Sequence, residues 1–316
     1  MEISSDGDED GNEWQERDND EEPSIFTKIV IDLTSPTLLF SNFPLHKEDI
    51  EEIMTALTPV TSVLRFYNVA LEAEDVKIIL ERLPYHVKEL GIYLTNNDRL
   101  DNNRSTQHIA SFLSQNKTLT VLDIEDCRFG DEGIALIANA LRYNTTLRNL
   151  YISFNRFGLE GSKAIAEMLR CNSSLSTLRA IYCVNGNCAL EIIRSLVDNV
   201  NLSRLDLSGC EGESNLTWQN VLNVLCGQMI LTDLRLDYTP LEEHYDIRRL
   251  LNRNKQVQAQ VRRLIRYLIG IRQGYGQQGR QGMGALGLLP KEIVMMIAKA
   301  LWKTRREWTW VDVLEK

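Results

Sequence analysis

The chain has 316 residues, 43% of them hydrophobic and 25% charged, a balance that supports a sizeable core in one large domain or two ordinary ones. No run of about 18 apolar residues occurs, so no membrane span is expected, and no basic-then-apolar leader marks the N-terminus, so the chain is not expected to be secreted. A net charge of −9 speaks against a general nucleic-acid binder.

Six cysteines with no leader are expected to be reduced thiols in a cytoplasmic or nuclear protein. There is no CxxC, and His46, His86, His108 and His244 are too scattered for a zinc site, so neither metal nor cofactor is expected. Charge is unevenly spread. Residues 1–24 form an acidic tail whose first 23 positions carry eleven acids and one Arg, a composition expected to stay disordered. Residues 245–316 instead hold fifteen Lys/Arg against five Asp/Glu, leaving 20 basic and 39 acidic side chains in the rest.

From about residue 25 to 250 the chain repeats itself. "LTVLDIEDCRFGDEGIALIANALRYNTT" from Leu119 aligns without a gap on "LRNLYISFNRFGLEGSKAIAEMLRCNSS" from Leu147. The second apolar position of each copy falls at 38, 64, 90, 122, 150, 178, 205 and 234, about eight units with steps of 26 to 32. The widest step holds a four-residue excess around "NDRLDNNRSTQ". Each unit opens with alternating apolar residues, the period of a short strand. It then carries an i, i+3, i+4, i+7 stripe, the period of a helix buried on one face. The stripes are Val76/Ile79/Leu80/Leu83, Ile134/Ile137/Ala138/Leu141, Ala189/Ile192/Ile193/Leu196 and Trp218/Val221/Leu222/Leu225. One strand and one helix cannot close a core, so the units are expected to stack into an α/β solenoid. Strands sit closer together than helices, which bends the stack with its parallel strands on the concave side.

"FGDEGIALIANALRYNTTLRNLYISFN" and "FGLEGSKAIAEMLRCNSSLSTL" resemble the leucine-rich repeats of ribonuclease-inhibitor type, a group that includes Ran GTPase-activating proteins and the repeat domains of NLR receptors. The resemblance implies a curved leucine-rich-repeat solenoid. It also implies that Cys127, Asn155, Cys183 and Cys210 hold the turn after each strand, a structural role for three of the cysteines. Asn116, Asn144, Asn172 and Asn201 head Asn-x-Ser/Thr sequons, but three fall at one repeat position between helix and strand and are expected to be unmodified turn residues.

On such a sheet the residues between the buried ones face the concave side. One column reads Arg65, Gly91, Asp123, Tyr151, Arg179, Asp206, Arg235, and the next Tyr67, Tyr93, Glu125, Ser153, Ile181, Ser208, Asp237. Tyr and Arg dominate binding energy in many protein interfaces. The candidate partner-binding residues are therefore Arg65, Tyr67, Tyr93, Asp123, Glu125, Tyr151, Arg179, Asp206, Arg235 and Asp237. Nothing suggests catalysis: no nucleophile–base order or phosphate loop occurs, and Asp131 and Glu132 suit a helix N-terminus.

Residues 251–272 are expected to form a basic capping helix, with Val257, Val261, Leu264 and Leu268 on one stripe, Arg262, Arg263 and Arg266 off it, and Gly270 as a stop signal. A Gly/Gln-rich linker follows at 273–287, then a helical segment at 288–316. There Leu289, Pro290, Ile293, Ile297 and Leu301 give "LPxEIxxxIxxxL", which resembles the first helix of an F-box, the module that joins substrate receptors to a cullin-type ubiquitin ligase. The expected function is a non-enzymatic scaffold that binds a protein partner through the concave face. The resemblances add two alternatives: a ubiquitin-ligase adaptor as partner of the C-terminal helix, or a small GTPase as partner of the repeats.

Overall fold

The computed structural model of the chain describes residues 35–42, 44–93, 102–210, 216–228, 230–239 and 245–274, the last with side chains as far as residue 259. The expected acidic tail, most of the Gly/Gln-rich linker and the whole segment 288–316, with Leu289, Pro290, Ile293, Ile297 and Leu301, lie outside these residues.

Strand and helix alternate. The strands are β1 (Thr37–Ser41), β2 (Val63–Tyr67), β3 (Glu89–Tyr93), β4 (Val121–Asp123), β5 (Asn149–Tyr151), β6 (Thr177–Arg179), β7 (Arg204–Asp206) and β8 (Asp233–Arg235). The helices are α1 (Lys47–Ala56), α2 (Ala73–Glu81), α3 (Asn102–Gln115), α4 (Gly130–Leu141), α5 (Leu159–Cys171), α6 (Gly186–Arg194), α7 (Trp218–Gly227) and α8 (Tyr245–Gly274). All eight strands form one parallel sheet in chain order. Its register pairs Leu38, Leu64, Leu90, Leu122, Leu150, Leu178, Leu205 and Leu234 in one row, the positions aligned from the repeats. The 32-residue step does not disturb that row, so its excess is absorbed outside the strands.

The core lies between sheet and helices. Leu64, Leu90, Leu122, Leu150 and Leu178 are fully buried, as are Ile134, Ile137, Ala138 and Leu141 on α4 and Ala189, Ile192, Ile193 and Leu196 around α6. Trp218 departs from the expected stripe: it opens α7 and its side chain is exposed. The result is a curved leucine-rich-repeat solenoid.

Two polar ladders tie the units together. At the helix-to-strand turn, Asn144 Oδ1 accepts from Thr146 and Leu147 N–H, while its Nδ2 donates to the carbonyls of Leu113 and Asn116 in the preceding unit. Asn172 does the same with Ser174, Leu175, Leu141 and Asn144. Asn199 and Gln228 continue the row, and Asn254 on α8 closes it by donating to Gln228 and Leu231. The sequons are thus explained in part. Asn116, Asn144 and Asn172 occupy the ladder, but the fourth rung is Asn199, not Asn201. The second ladder runs through the turn after each strand. Asn155 bridges Cys127 N–H, Phe129 N–H and the carbonyls of Ile124 and Ile152, and the Cys127 and Cys183 thiols donate to carbonyls of the preceding unit. Burial pushes the Cys183 and Cys210 thiols up to about 12, as befits groups used for packing and not for chemistry.

Asp131 meets a helix N-terminus, that of the next unit: its Oδ1 accepts from Gly158 and Gly161 N–H at 2.9 and 2.6 Å. α8 covers the open end. Ile247 and Leu251 are buried there, and Arg253 donates to the carbonyls of Leu225 and Gln228 at the C-terminal end of α7. The helix begins six residues before the expected 251 and continues through Gly270, because a single glycine costs a helix only about 1 kcal/mol.

Candidate functional site: the concave face

The strand register sets Arg65, Gly91, Asp123, Tyr151, Arg179, Asp206 and Arg235 side by side across seven strands. Tyr67 and Tyr93 lie paired two residues further along β2 and β3, with ring centroids 5.2 Å apart. Glu125, Ser208 and Asp237 follow β4, β7 and β8 at the same offset.

These residues differ in how far their neighbours satisfy them. At the N-terminal end, Arg65 donates through Nε and Nη2 to Glu89, an acid one column over that the sequence reading did not single out. Gly91 makes this possible, since a Cβ there would sit 2.9 Å from Arg65 Cγ and 3.0 Å from the Tyr93 ring. Tyr93 donates its hydroxyl to Asp123 Oδ2. Asp123 is only 6% exposed, and burial lifts its carboxyl to about 6. Burial and the bond to Asp123 together hold the Tyr93 phenol well above its ordinary range. Asp123 Oδ1 and Glu125 Oε1 are both buried without a hydrogen-bond partner.

Toward the C-terminal end the groups open to solvent. Arg179 is exposed and approaches Glu125 only to 3.9 Å; Arg235 is exposed and lies 3.8 Å from Asp233. Asp206 accepts from Ser208 N–H and Oγ, whereas Asp237 is exposed. Tyr151 is half-buried between the two regions, and burial raises its phenol. Among the described residues no three His, Cys, Asp or Glu side chains are placed to hold a metal ion, and no helix is long and apolar enough to cross a membrane.

A further row was missed. Four residues after seven of the eight aligned leucines the backbone turns left-handed, at Asn42, Asn68, Asp126, Phe154, Tyr182, Gly209 and Tyr238, with φ between 52° and 75°. Asn, Asp and Gly tolerate that conformation, whereas bulky side chains there are outliers. Phe154 and Tyr182 stack at 5.6 Å, and Tyr182 and Tyr238 at 6.1 Å, along the rim of the concave face. Gly209, in the seventh unit, lies between Tyr182 and Tyr238, and a Cβ on it would lie 2.4 Å from the Tyr182 ring. The recurrence of Asn, Asp and Gly at one offset was the available signal that the aromatics beside them are anomalous.

Residues 115–138 and 143–166 match the family described as Leucine Rich repeat, two stretches that contain β4 with most of α4, and β5 with half of α5. No curated protein matches the sequence. Among solved structures the chain is similar to leiomodin-1 actin-binding site 2, at 24% identity over 43% of this chain and 80% of that one, with a TM-score of 0.39. It is also similar to the Caenorhabditis elegans tropomodulin C-terminal domain, at 14% identity over 51% of this chain and 98% of that one, with a TM-score of 0.44. A third similar structure is the yeast Rad7 and Elc1 complex, at 16% identity over 66% of this chain and 56% of that one, with a TM-score of 0.41. The matched stretches are two of the strand–helix units, and the others repeat their register on either side, so the array is built of leucine-rich repeats.

Proposed function

We propose that the protein is a non-enzymatic intracellular scaffold that captures a partner protein on the concave face of its repeats, an array of ribonuclease-inhibitor type. One observation carries the reading: Arg179 and Arg235 stand exposed on that face, held only by contacts of 3.9 and 3.8 Å, with half-buried Tyr151 beside Arg179. Exposed ion pairs of that kind are worth about 0–1 kcal/mol, so a partner exchanges them at little cost. Buried Tyr and Arg anchors commonly contribute about 2 kcal/mol or more each in a complex.

The test is quantitative co-purification with the tagged full chain and with an Arg179→Glu/Arg235→Glu variant. The variant is expected to keep its unfolding midpoint and lose its specific partners. Retention of every partner by a folded variant refutes the concave face. A second contact is proposed for the C-terminal segment on the strength of "LPKEIVMMIAKAL": binding of a cullin adaptor by the intact chain, lost on Ile293→Asp, supports ligase-receptor use, and no binding removes it. The GTPase-regulator expectation rests on resemblance alone.

A further inference from the structure

Between Tyr67 and Tyr238 the upper rim of the concave face carries rings on five of seven units, with breaks at the fourth and, at Gly209, the seventh. Tyr67 and Tyr93 lie on the second and third units, and Phe154, Tyr182 and Tyr238 follow the fifth, sixth and eighth strands. The fourth unit places Asp123, Glu125 and Asp126 in the gap. Tyr67, Phe154, Tyr182 and Tyr238 are exposed, Phe154 by 48% and Tyr182 by 38%. The backbone under the last three holds a left-handed conformation that residues with a Cβ adopt only at a cost. Strain of that kind persists at sites that use it.

Into the gap the Tyr93 hydroxyl donates to Asp123 Oδ2, and Arg179 Nε approaches Glu125 Oε1 only to 3.9 Å. Asp123 is more than nine-tenths buried, and its Oδ1, like Glu125 Oε1, has no hydrogen-bond partner. A buried acceptor left unmade is costly and calls for an explanation. Arg65 is committed to Glu89, and Arg179, at 3.9 Å from Glu125, is half exposed and is the side chain that must swing aside. Residues 35–244 carry 27 acids against 18 Lys/Arg, so the field around this gap favours a cation.

We infer that the rim binds an extended segment of a partner protein in which one Arg or Lys enters the Asp123–Glu125 gap and apolar side chains on both flanks lie on the rings. The spacing follows from the sheet. Adjacent strands are ~4.8 Å apart, so Tyr67 and Tyr182, two strands to either side of the gap, are each ~10 Å away. An extended chain covers that in about three residues at ~3.3 Å each. The segment therefore reads apolar-x-x-(Arg/Lys)-x-x-apolar. This deepens the concave-face reading and rests on it.

The experiment selects a random 12-residue peptide display library on the full chain, then measures individual winners by fluorescence anisotropy. Enriched peptides are expected to carry a basic residue with apolar residues three positions to each side. An Asp123→Asn/Glu125→Gln variant should weaken them at least tenfold, and Phe154→Ser/Tyr182→Ser, at exposed positions that leave folding intact, should abolish the apolar preference. Absence of enrichment, enrichment without the basic centre, or winners indifferent to the Asn/Gln variant each overturn the inference, as does preferential capture of an oligonucleotide. If those results come with partner capture that still depends on Arg179 and Arg235, only the segment falls; if capture ignores them, the concave-face reading falls with it.

Discussion

Replacing Asn172 by alanine removes four hydrogen bonds to backbone groups, and a longer one from the Ser174 hydroxyl, at a buried site. Its Oδ1 accepts from Ser174 and Leu175 N–H at 2.8 and 2.7 Å, its Nδ2 donates to Leu141 and Asn144 at 2.6 and 3.0 Å, and the residue is 4% exposed. Each bond is worth ~1 kcal/mol net, and donors left buried cost somewhat more, so a loss of about 4 kcal/mol is expected against a typical total of ~5–15 kcal/mol. At ~2–4 °C per kcal/mol for a domain of this size, the midpoint of thermal unfolding should fall by about 10 °C. The rung joins the units on either side, so the variant is also expected to broaden the transition as the halves uncouple. Equilibrium urea unfolding followed by far-UV circular dichroism reads both effects, with exposed Thr145→Ala as the control. Asn172→Asp keeps the acceptor bonds but sets a carboxylate oxygen against two carbonyls, and should be no milder at pH 7. A loss below about 1 kcal/mol for alanine, or a harmless aspartate, would show that the ladder does not hold the units together.

Asp123→Asn should stabilise the protein at pH 7 and do nothing at pH 3.5. Its carboxyl titrates near 6 when folded, because of burial first and the Glu125 charge next, against ~3.9 unfolded, so stability is gained as pH falls through 6. Arg65, Tyr93, Glu89, Glu125, Tyr151 and Arg179 face the same space. The two-unit rise corresponds to a gain on the order of 2–3 kcal/mol in the Asn variant, and pH-independent unfolding midpoints would contradict it. Of the six cysteines, exposed Cys171 and Cys226 should react promptly with a thiol reagent in the native protein, and the four buried ones only after denaturant; a native count above two is the adverse result. Gly209→Ala should cost about 1–2 kcal/mol, since φ is +75° there, and should push the Tyr182 ring off Tyr238. An unchanged near-UV spectrum would mean that the stack is not formed.

The buried rows were legible because burial imposes periodicity. Leucines recurring at 38, 64, 90 and 122 announce a strand row whatever fills the positions between them. The concave columns were legible only as positions, since alternation assigns a side chain to a face but not to a partner. Arg65 was expected to be available, yet Glu89 takes it, because Gly91 leaves room for the crossing. Asp123 was expected to be a surface contact, but it is buried, with the half-buried Tyr93 donating its hydroxyl to it. The aromatic rim was not read, because a left-handed turn is a property of backbone geometry that Phe154 and Tyr182 do not advertise.

The two halves of the concave face differ in a way that bears on where a partner sits. In the N-terminal units the polar groups satisfy one another across strands, Arg65 with Glu89 and Tyr93 with Asp123, so a partner would have to break bonds that are partly buried. From the fourth unit onward the balance reverses. Two carboxylate oxygens lack donors, Arg179 and Arg235 make only long contacts, and three stacked rings face solvent. A group that gives up little on leaving water contributes most to binding, so among the polar groups those from the fourth unit onward should contribute more than Arg65 and Glu89. A folded Arg65→Ala variant should accordingly bind a partner less than threefold more weakly, whereas Tyr182→Ala should cost more than tenfold in the same titration. Equal losses at the two positions would place the contact across the whole face, and the reverse order would move it to the N-terminal units.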